Sequence, residues 1–170
     1  MTLKLFGAVF VIVGCGGFGF LIAAAHRREV KSMQQLISAL DYMECELKYR
    51  LTPLPELCRQ SATICSGAVN TLLNTLATEL DNQISPDVEK CMDSALQKNS
   101  EIPKLTKDGF ILLGRTLGRF DVEGQLKGID AVRLECRQTL DTYMQNQDVR
   151  LRSYQTLGLC AGAAMAILFI

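Results

Sequence analysis

The chain has 170 residues, of which 48% are hydrophobic, and its 18 basic and 18 acidic side chains give a formal net charge of zero. A chain of this length supports one domain, and the charges are sorted along it: residues 41–148 carry 17 acids and 12 bases, a net charge of −5. A mildly acidic middle segment without a basic stripe argues against nucleic acid as a partner.

The N-terminal segment is uncharged and apolar from residue 5 to residue 25. A stretch of about 20 such residues is long enough to cross the roughly 30 Å hydrocarbon layer of a bilayer. We therefore predict an N-terminal transmembrane helix over residues 1–25. Three small residues in it, Cys15, Gly19 and Ala23, follow the four-residue spacing that lets membrane helices approach closely.

Two other interpretations of this segment remain open. The Ala23-Ala24-Ala25 run offers a signal-peptide cleavage site, although the apolar run is longer than usual and two arginines follow it directly. The run from Gly14 to Gly19 also matches the G-x-G-x-x-G pattern of dinucleotide-binding loops. The apolar stretch continues past these glycines, however, and no alternation of strands and helices follows, which favours the membrane helix.

An amphipathic helix continues out of this segment, because apolar residues recur every three to four positions, at Val30, Met33, Leu36, Ile37, Leu40, Met43 and Leu47. Asp41 and Glu44 fall on its solvated face. The helix must end before Pro53, which disfavours the helical conformation in Thr52. We expect Thr52 to cap the next helix, with Pro53 at its first position and Glu56 in its first turn.

The same periodicity predicts four more helices and no strand. They comprise a short one through Leu57, Cys58 and Ala62, one over 68–80, one that begins at Ser85-Pro86-Asp87, and one over 106–117. A last long helix begins near Asp121, with Val122, Leu126, Ile129, Val132, Cys136, Leu140 and Tyr143 facing inward, and runs without a break into the C-terminal segment. The predicted fold is all-α, a compact cytoplasmic helical bundle between two terminal transmembrane helices.

The C-terminal segment, residues 154–170, is the second predicted transmembrane helix. It has its own line of small residues, Gly158, Gly162 and Ala166, so the two spans could pair with each other or with another subunit of a homo-oligomer. Basic residues flank both spans on the side of the middle segment, at Arg27, Arg28, Lys31, Arg150 and Arg152. By the positive-inside rule, residues 26–153 form the cytoplasmic domain and both termini lie on the opposite side of the cell membrane.

The sequence contains no pattern that indicates catalysis, a metal site or a cofactor. Its seven cysteines are odd in number and form no C-x-x-C pair. We therefore expect small buried thiols in a reducing compartment, with a disulfide or metal role as the alternative. Two polar patches between helices are either well-capped turns or binding sites for a partner protein. The first corner comprises Thr52, Pro53, Leu54, Pro55 and Glu56, and the second corner, residues 117–125, contributes Arg119, Asp121, Gly124 and Gln125. As a turn, the second corner would have Gly118 at the end of one helix and Asp121 as the cap of the next.

At these patches the chain resembles the stage III sporulation protein AB family of endospore-forming bacteria. The resemblance covers nearly the whole chain and depends on the order of several short strings between the two spans. They are Ser38-Ala39-Leu40, Glu44-Cys45-Glu46-Leu47-Lys48-Tyr49, Thr52-Pro53-Leu54, and Thr116-Leu117-Gly118-Arg119 followed by Asp121 and Gln125.

The resemblance implies a non-enzymatic platform component of a secretion-like complex between mother cell and forespore. The soluble part is similar to the cytoplasmic domain of the type II secretion platform protein, so residues 26–153 would dock a cytoplasmic ATPase related to stage III sporulation protein AA. Other stage III sporulation membrane proteins and the lipid bilayer would be the remaining partners, with the protein in the mother-cell membrane that faces the forespore. The alternative is a membrane-anchored sensor or regulator that acts through its helical domain or its thiols.

Overall fold

The computed structural model describes the backbone of residues 2–82, 87–118 and 121–169, and the side chains of residues 24–82, 87–118 and 121–146. The described residues form six helices and no strand, which confirms the all-α prediction. The helices are α1 (Thr2–Tyr49), α2 (Leu54–Thr63), α3 (Ala68–Asp81), α4 (Val88–Lys98), α5 (Lys104–Thr116) and α6 (Val122–Phe169).

The two long helices, α1 and α6, are antiparallel. His26 of α1 stacks on Tyr143 of α6, whereas Asp41, fifteen residues further along α1, contacts Arg133, ten residues earlier on α6. The end of α1 and the start of α6 therefore lie together, at what we call the distal end of the bundle. The opposite end, near His26, is the proximal end. Both α1 and α6 extend beyond it without a break.

The four short helices pack with this pair around one apolar core. Helix α1 contacts α2, α3, α5 and α6. Each helix from α2 to α5 also contacts the helix that follows it in sequence. The core contains most of the residues that the helical periodicity places inward, among them Met33, Leu36, Leu40, Leu57, Leu72, Leu76, Met92, Phe110, Ile129 and Cys136. Val122 is an exception, because it is 41% exposed at the first position of α6.

The turn between α1 and α2 differs from the prediction. Leu51 has φ +52°, in the left-handed region that non-glycine residues rarely adopt. Helix α2 begins at Leu54 with Pro53 in the capping position, and Pro53 has no side-chain donor or acceptor to offer. The predicted cap at Thr52 is wrong, because its hydroxyl donates to Glu46 Oε2 at 3.1 Å instead.

Two other helix boundaries agree with the sequence. Asp121 Oδ1 accepts a hydrogen bond from the Gly124 N–H at 3.0 Å, so the predicted cap of α6 is confirmed. Gly118, with φ +79°, ends α5 as expected. At the start of α4 the carboxylate of Asp87 accepts from the Glu89 N–H at 3.1 Å; the predicted start at Ser85 and Pro86 lies outside the described residues.

Within the part of the chain whose side chains the structure describes, no helical stretch is both long and apolar enough to cross a membrane. The two predicted spans, 1–25 and 154–170, fall almost entirely outside that part. The same is true of the packing residues predicted in them, which are Cys15, Gly19, Ala23, Gly158, Gly162 and Ala166.

Candidate functional site

The structure brings the two predicted corners to the same end of the bundle. The first corner follows the end of α1 at Tyr49, and the second corner includes the start of α6 at Val122. Because α1 and α6 are antiparallel, both corners lie at the distal end, away from the two terminal segments. Residues 119 and 120 of the second corner, and with them the predicted Arg119, lie outside the described part of the chain.

Glu46 anchors the first corner to α1. Glu46 is only 8% exposed, and its two carboxylate oxygens have different partners. Oε2 accepts from the Thr52 hydroxyl at 3.1 Å, and Oε1 lies 3.5 Å from Arg50 Nη1. A nearly buried carboxylate with two hydrogen-bonding or charged partners holds the turn in one conformation, so the corner is a fixed feature of the surface.

The rest of the first corner presents a mixture of apolar and polar surface. Pro53 is exposed, while Leu54 and Pro55 are half-buried and Leu54 packs against the core. The Glu56 carboxylate accepts from Gln60 Nε2 at 2.9 Å, and Gln60 Oε1 accepts from the Tyr42 hydroxyl at 3.3 Å. Burial, and then the charge of the nearby Glu46 carboxylate, raise the pKa of the Tyr42 phenol, which therefore remains a neutral hydrogen-bond donor.

The second corner serves the fold as well as offering surface. Asp121 is exposed and caps α6, and the Gln125 N–H donates to the Asp121 carbonyl oxygen at 2.9 Å. Gly124 and Gln125 are half-buried. The Asp121 carboxylate thus has one oxygen bound to the helix end and its solvent side open, and a partner could approach it from there.

Apolar surface at the distal end was not predicted from the sequence. Tyr49 is 75% exposed and Leu51 65% exposed, and both adjoin the first corner, while the exposed Val122 belongs to the second corner. The string Glu44–Tyr49 contributed to the family resemblance, but the periodicity of α1 gave no reason for a large side chain to be exposed at its last turn. Exposed apolar groups beside polar ones are typical of protein-binding surfaces.

A cluster of charges joins α1 to α6 halfway along the bundle. The Arg133 guanidinium donates to Asp41 Oδ1 at 3.0 Å and also to Glu44 and Asp130. Burial alone would lower the pKa of Arg133, but its hydrogen bonds to Asp41 and Asp130 outweigh that effect and raise it. The sequence correctly placed Asp41 and Glu44 on the polar face of α1 but gave no indication of their partner on α6.

Four of the five thiols in the described part of the chain are buried, and Cys45 is exposed. Burial raises the pKa of Cys58 to about 12 and the pKa values of Cys65 and Cys136 to about 11. Thiols with such raised pKa values react poorly with oxidants at neutral pH. In the part of the chain that the structure describes, no group of histidine, cysteine and carboxylate side chains could hold a metal ion.

Three comparisons with known proteins give the same family. A family model described as Stage III sporulation protein AB matches residues 4–170. A curated relative, stage III sporulation protein AB of Bacillus subtilis (strain 168), is 29% identical to the chain over 171 residues that cover 99% of both proteins. A solved structure of a stage III sporulation protein AB superposes with a TM-score of 0.63 at 25% identity, over 72% of this chain and 98% of that one.

Proposed function

Since the chain belongs to the stage III sporulation protein AB family, we propose that it is a non-enzymatic platform component of a secretion-like sporulation complex between mother cell and forespore. In this proposal, residues 1–25 and 154–170 span the mother-cell membrane that faces the forespore. Residues 26–153 form the cytoplasmic domain, which docks an ATPase related to stage III sporulation protein AA. Other stage III sporulation membrane proteins and a second copy of the chain are further proposed partners.

One observation carries the proposal: the antiparallel arrangement of α1 and α6 separates two kinds of surface. The stacked rings of His26 and Tyr143 mark the proximal end, where both helices continue towards the apolar segments. The two corners lie at the opposite end. Such an arrangement would let both terminal segments enter one bilayer from the same side while the corners point away from it.

The composition of the distal end fits a protein partner. Exposed apolar side chains at Tyr49, Leu51 and Val122 share the distal end with the charged groups of Arg50, Glu56 and Asp121. A surface of this kind can bury apolar area while charges at its rim select the partner. We therefore place the docking surface for the ATPase at the distal end.

Photo-crosslinking tests this placement. A photoreactive benzoylphenylalanine would replace Pro53 or Val122 at the distal end, or Leu134 as a control. Leu134 is also exposed, but it lies about 18 Å along α6 from Val122. In sporulating cells the proposal predicts crosslinks to the ATPase from positions 53 and 122 and far weaker ones from 134. Equal crosslinking at all three positions, or none at 53 and 122, would contradict it.

The alternative, a thiol-based sensor, is less well supported by the side chains. A redox sensor needs an accessible thiol of low pKa, whereas Cys58, Cys65 and Cys136 are buried and have raised pKa values. Replacing Cys45 with serine separates the two functions: the platform should assemble normally, and a sensor that depends on this exposed thiol should not respond to oxidant.

A further inference from the structure

A cleft at the proximal end has the features of an anion-binding site that the proposed docking function does not use. It lies between α1 and the start of α3, and its walls include Arg28, Lys31, Ser32, Gln35, Ser66 and Gly67. We call it the proximal cleft. Its distance from both corners, at the other end of α1, separates it from the docking surface.

The start of α3 provides backbone donors to this cleft. Gly67 occupies the capping position with φ +62°, and no side chain in the described part of the chain caps this end of the helix. The first helical hydrogen bond runs from the Thr71 N–H to the Gly67 carbonyl at 3.1 Å. The N–H groups of residues 68–70 precede that bond, and the first turn contains no acidic residue. A helix start of this kind attracts a negative charge.

Ser32 supplies an independent indication of a ligand. This residue lines the cleft and is only 7% exposed, yet its hydroxyl has no hydrogen-bond partner among the residues whose side chains are described. A serine on a helix ordinarily bonds to the carbonyl four residues earlier, as Ser38 does to Gln34 at 3.0 Å. A buried hydroxyl without a partner costs free energy, and a bound acceptor in the cleft would remove that cost.

Positive charge and one further hydroxyl complete the cleft. Lys31 is exposed at its edge, and Ser66 Oγ accepts from Gln35 Nε2 at 2.6 Å, so the Ser66 hydroxyl can still donate to a ligand. Arg28 lies 3.6 Å from the Glu101 carboxylate and donates to the Glu101 carbonyl at 3.2 Å. Glu101 is the one acid in the lining, but its side chain is 83% exposed, so solvent screens its charge and it can turn away from an arriving anion.

We propose that the proximal cleft binds a phosphate group, held by the start of α3, Lys31, Arg28 and the Ser32 hydroxyl. The group could belong to an anionic phospholipid or to a free phosphate. The lipid source rests on the proposed membrane anchoring, which puts residue 25 at the hydrocarbon edge. Ser32 would then lie about 10 Å beyond that edge, close to the headgroup layer, which extends roughly 5–7 Å on each side of the hydrocarbon.

The test is the thermal unfolding of the full chain in dodecyl maltoside micelles, followed by circular dichroism. Three additions are compared at constant ionic strength: inorganic phosphate, phosphatidylglycerol, and diacylglycerol as a lipid without phosphate. A bound ligand raises the midpoint of unfolding, by about 2–4 °C for each kcal/mol of binding free energy in a chain of this size. A rise with inorganic phosphate supports a site for the free ion, and a rise with phosphatidylglycerol alone supports a lipid headgroup.

Two variants identify the site. In the Lys31→Gln variant, the phosphate source should produce only a small part of the rise in unfolding midpoint that it produces in the parent chain. Ala68→Asp places a carboxylate in the first turn of α3, where it repels an anion. Because Ala68 is half-buried and packs against the core, the midpoint of this variant without ligand should fall, and added phosphate should not raise it. Lys90→Gln, which removes an exposed charge on α4, should respond as the parent chain does. The proposal is overturned if neither phosphate source raises the midpoint, if diacylglycerol raises it equally, or if Ala68→Asp responds like the parent.

Failure of this proposal would leave the docking function intact. The crosslinks from positions 53 and 122 report on the distal end and require no ligand in the proximal cleft. Conversely, the inorganic phosphate arm measures binding in micelles whether or not the distal end docks an ATPase.

Discussion

The imidazole ring of His26 on α1 stacks against the phenol ring of Tyr143 on α6, with ring centroids 4.9 Å apart and the planes inclined by 27°. This contact fixes the lateral position of the two long helices where they leave the bundle. Helix α1 extends back to Thr2 and α6 forward to Phe169. The stacked pair is therefore the point from which both terminal segments begin, on the same side of the core.

The charge cluster around Arg133 should contribute to stability through its contacts between α1 and α6. Replacing Arg133 with methionine leaves Asp41 and Glu44 next to each other without their shared cation, and Arg133 is only 21% exposed. We expect a loss of about 1–2 kcal/mol in unfolding free energy, measured by urea titration in micelles. Arg137→Met is the matched control: Arg137 is 53% exposed and lies 3.4 Å from Asp41, so the cost should be below about 0.5 kcal/mol. If the two variants lose equal unfolding free energy, Arg133 does not stabilise the contact between α1 and α6 more than the exposed Arg137 does.

Gly118 should tolerate no side chain. It has φ +79°, and a Cβ atom built on it would lie 2.4 Å from Val88 Cγ2. Gly118→Ala adds this overlap to the backbone strain, so we expect a cost of about 2–3 kcal/mol in thermal or urea unfolding. Gly67 provides the control, because its φ is +62° but nothing lies within 4 Å of the added Cβ. Gly67→Ala, in phosphate-free buffer, should cost only about 1 kcal/mol; a similar cost at both positions would show that the contact with Val88 is unimportant.

Stability should fall at alkaline pH because of Cys58. Burial raises the pKa of this thiol from 9.0 to about 12, so between these values the unfolded chain releases a proton that the folded chain keeps. The contribution of the protonated Cys58 thiol to the unfolding free energy is complete below pH 9 and is lost as the pH rises towards 12. From pH 8 to pH 10 the unfolding free energy of the parent should therefore fall by about 1 kcal/mol more than that of Cys58→Ala. A difference between the two chains that does not change with pH would contradict the burial effect.

The role of the second corner in docking can be separated from its role in the fold. Asp121→Ala with Gln125→Ala should weaken co-purification of the ATPase and leave membrane insertion unchanged. Because Asp121 also caps α6, its loss costs about 1 kcal/mol, and Asp121→Asn separates the two effects. Asparagine caps a helix about as well as aspartate but lacks the charge. If Asp121→Asn with Gln125→Ala retains the ATPase fully, the charge of Asp121 does not take part in docking.

Helical periodicity predicted the architecture well, because each helix buries one stripe of its surface and the stripe is visible in sequence. The inward positions of α3, from Val69 to Leu76, and those of α6 at Ile129, Val132 and Cys136 are buried as expected. The cap at Asp121 was also predictable, since its partner, the Gly124 N–H, lies three residues away.

Features that depend on contacts between distant residues could not be predicted. The Thr52 hydroxyl was expected to cap α2, but the carboxylate of Glu46 on the preceding helix accepts its hydrogen bond. The charge cluster joins residues 92 positions apart in sequence. The proximal cleft brings Ser32 of α1 to Gly67 before α3, and neither residue belongs to a motif that would reveal the other.

Alkaline carbonate extraction of membranes from cells that produce the full chain tests whether both ends anchor the protein in the membrane. If residues 1–25 and 154–170 both cross the bilayer, the protein stays in the membrane pellet, and it still does so after either segment alone is deleted. Recovery of the intact chain in the supernatant would contradict membrane anchoring at both ends.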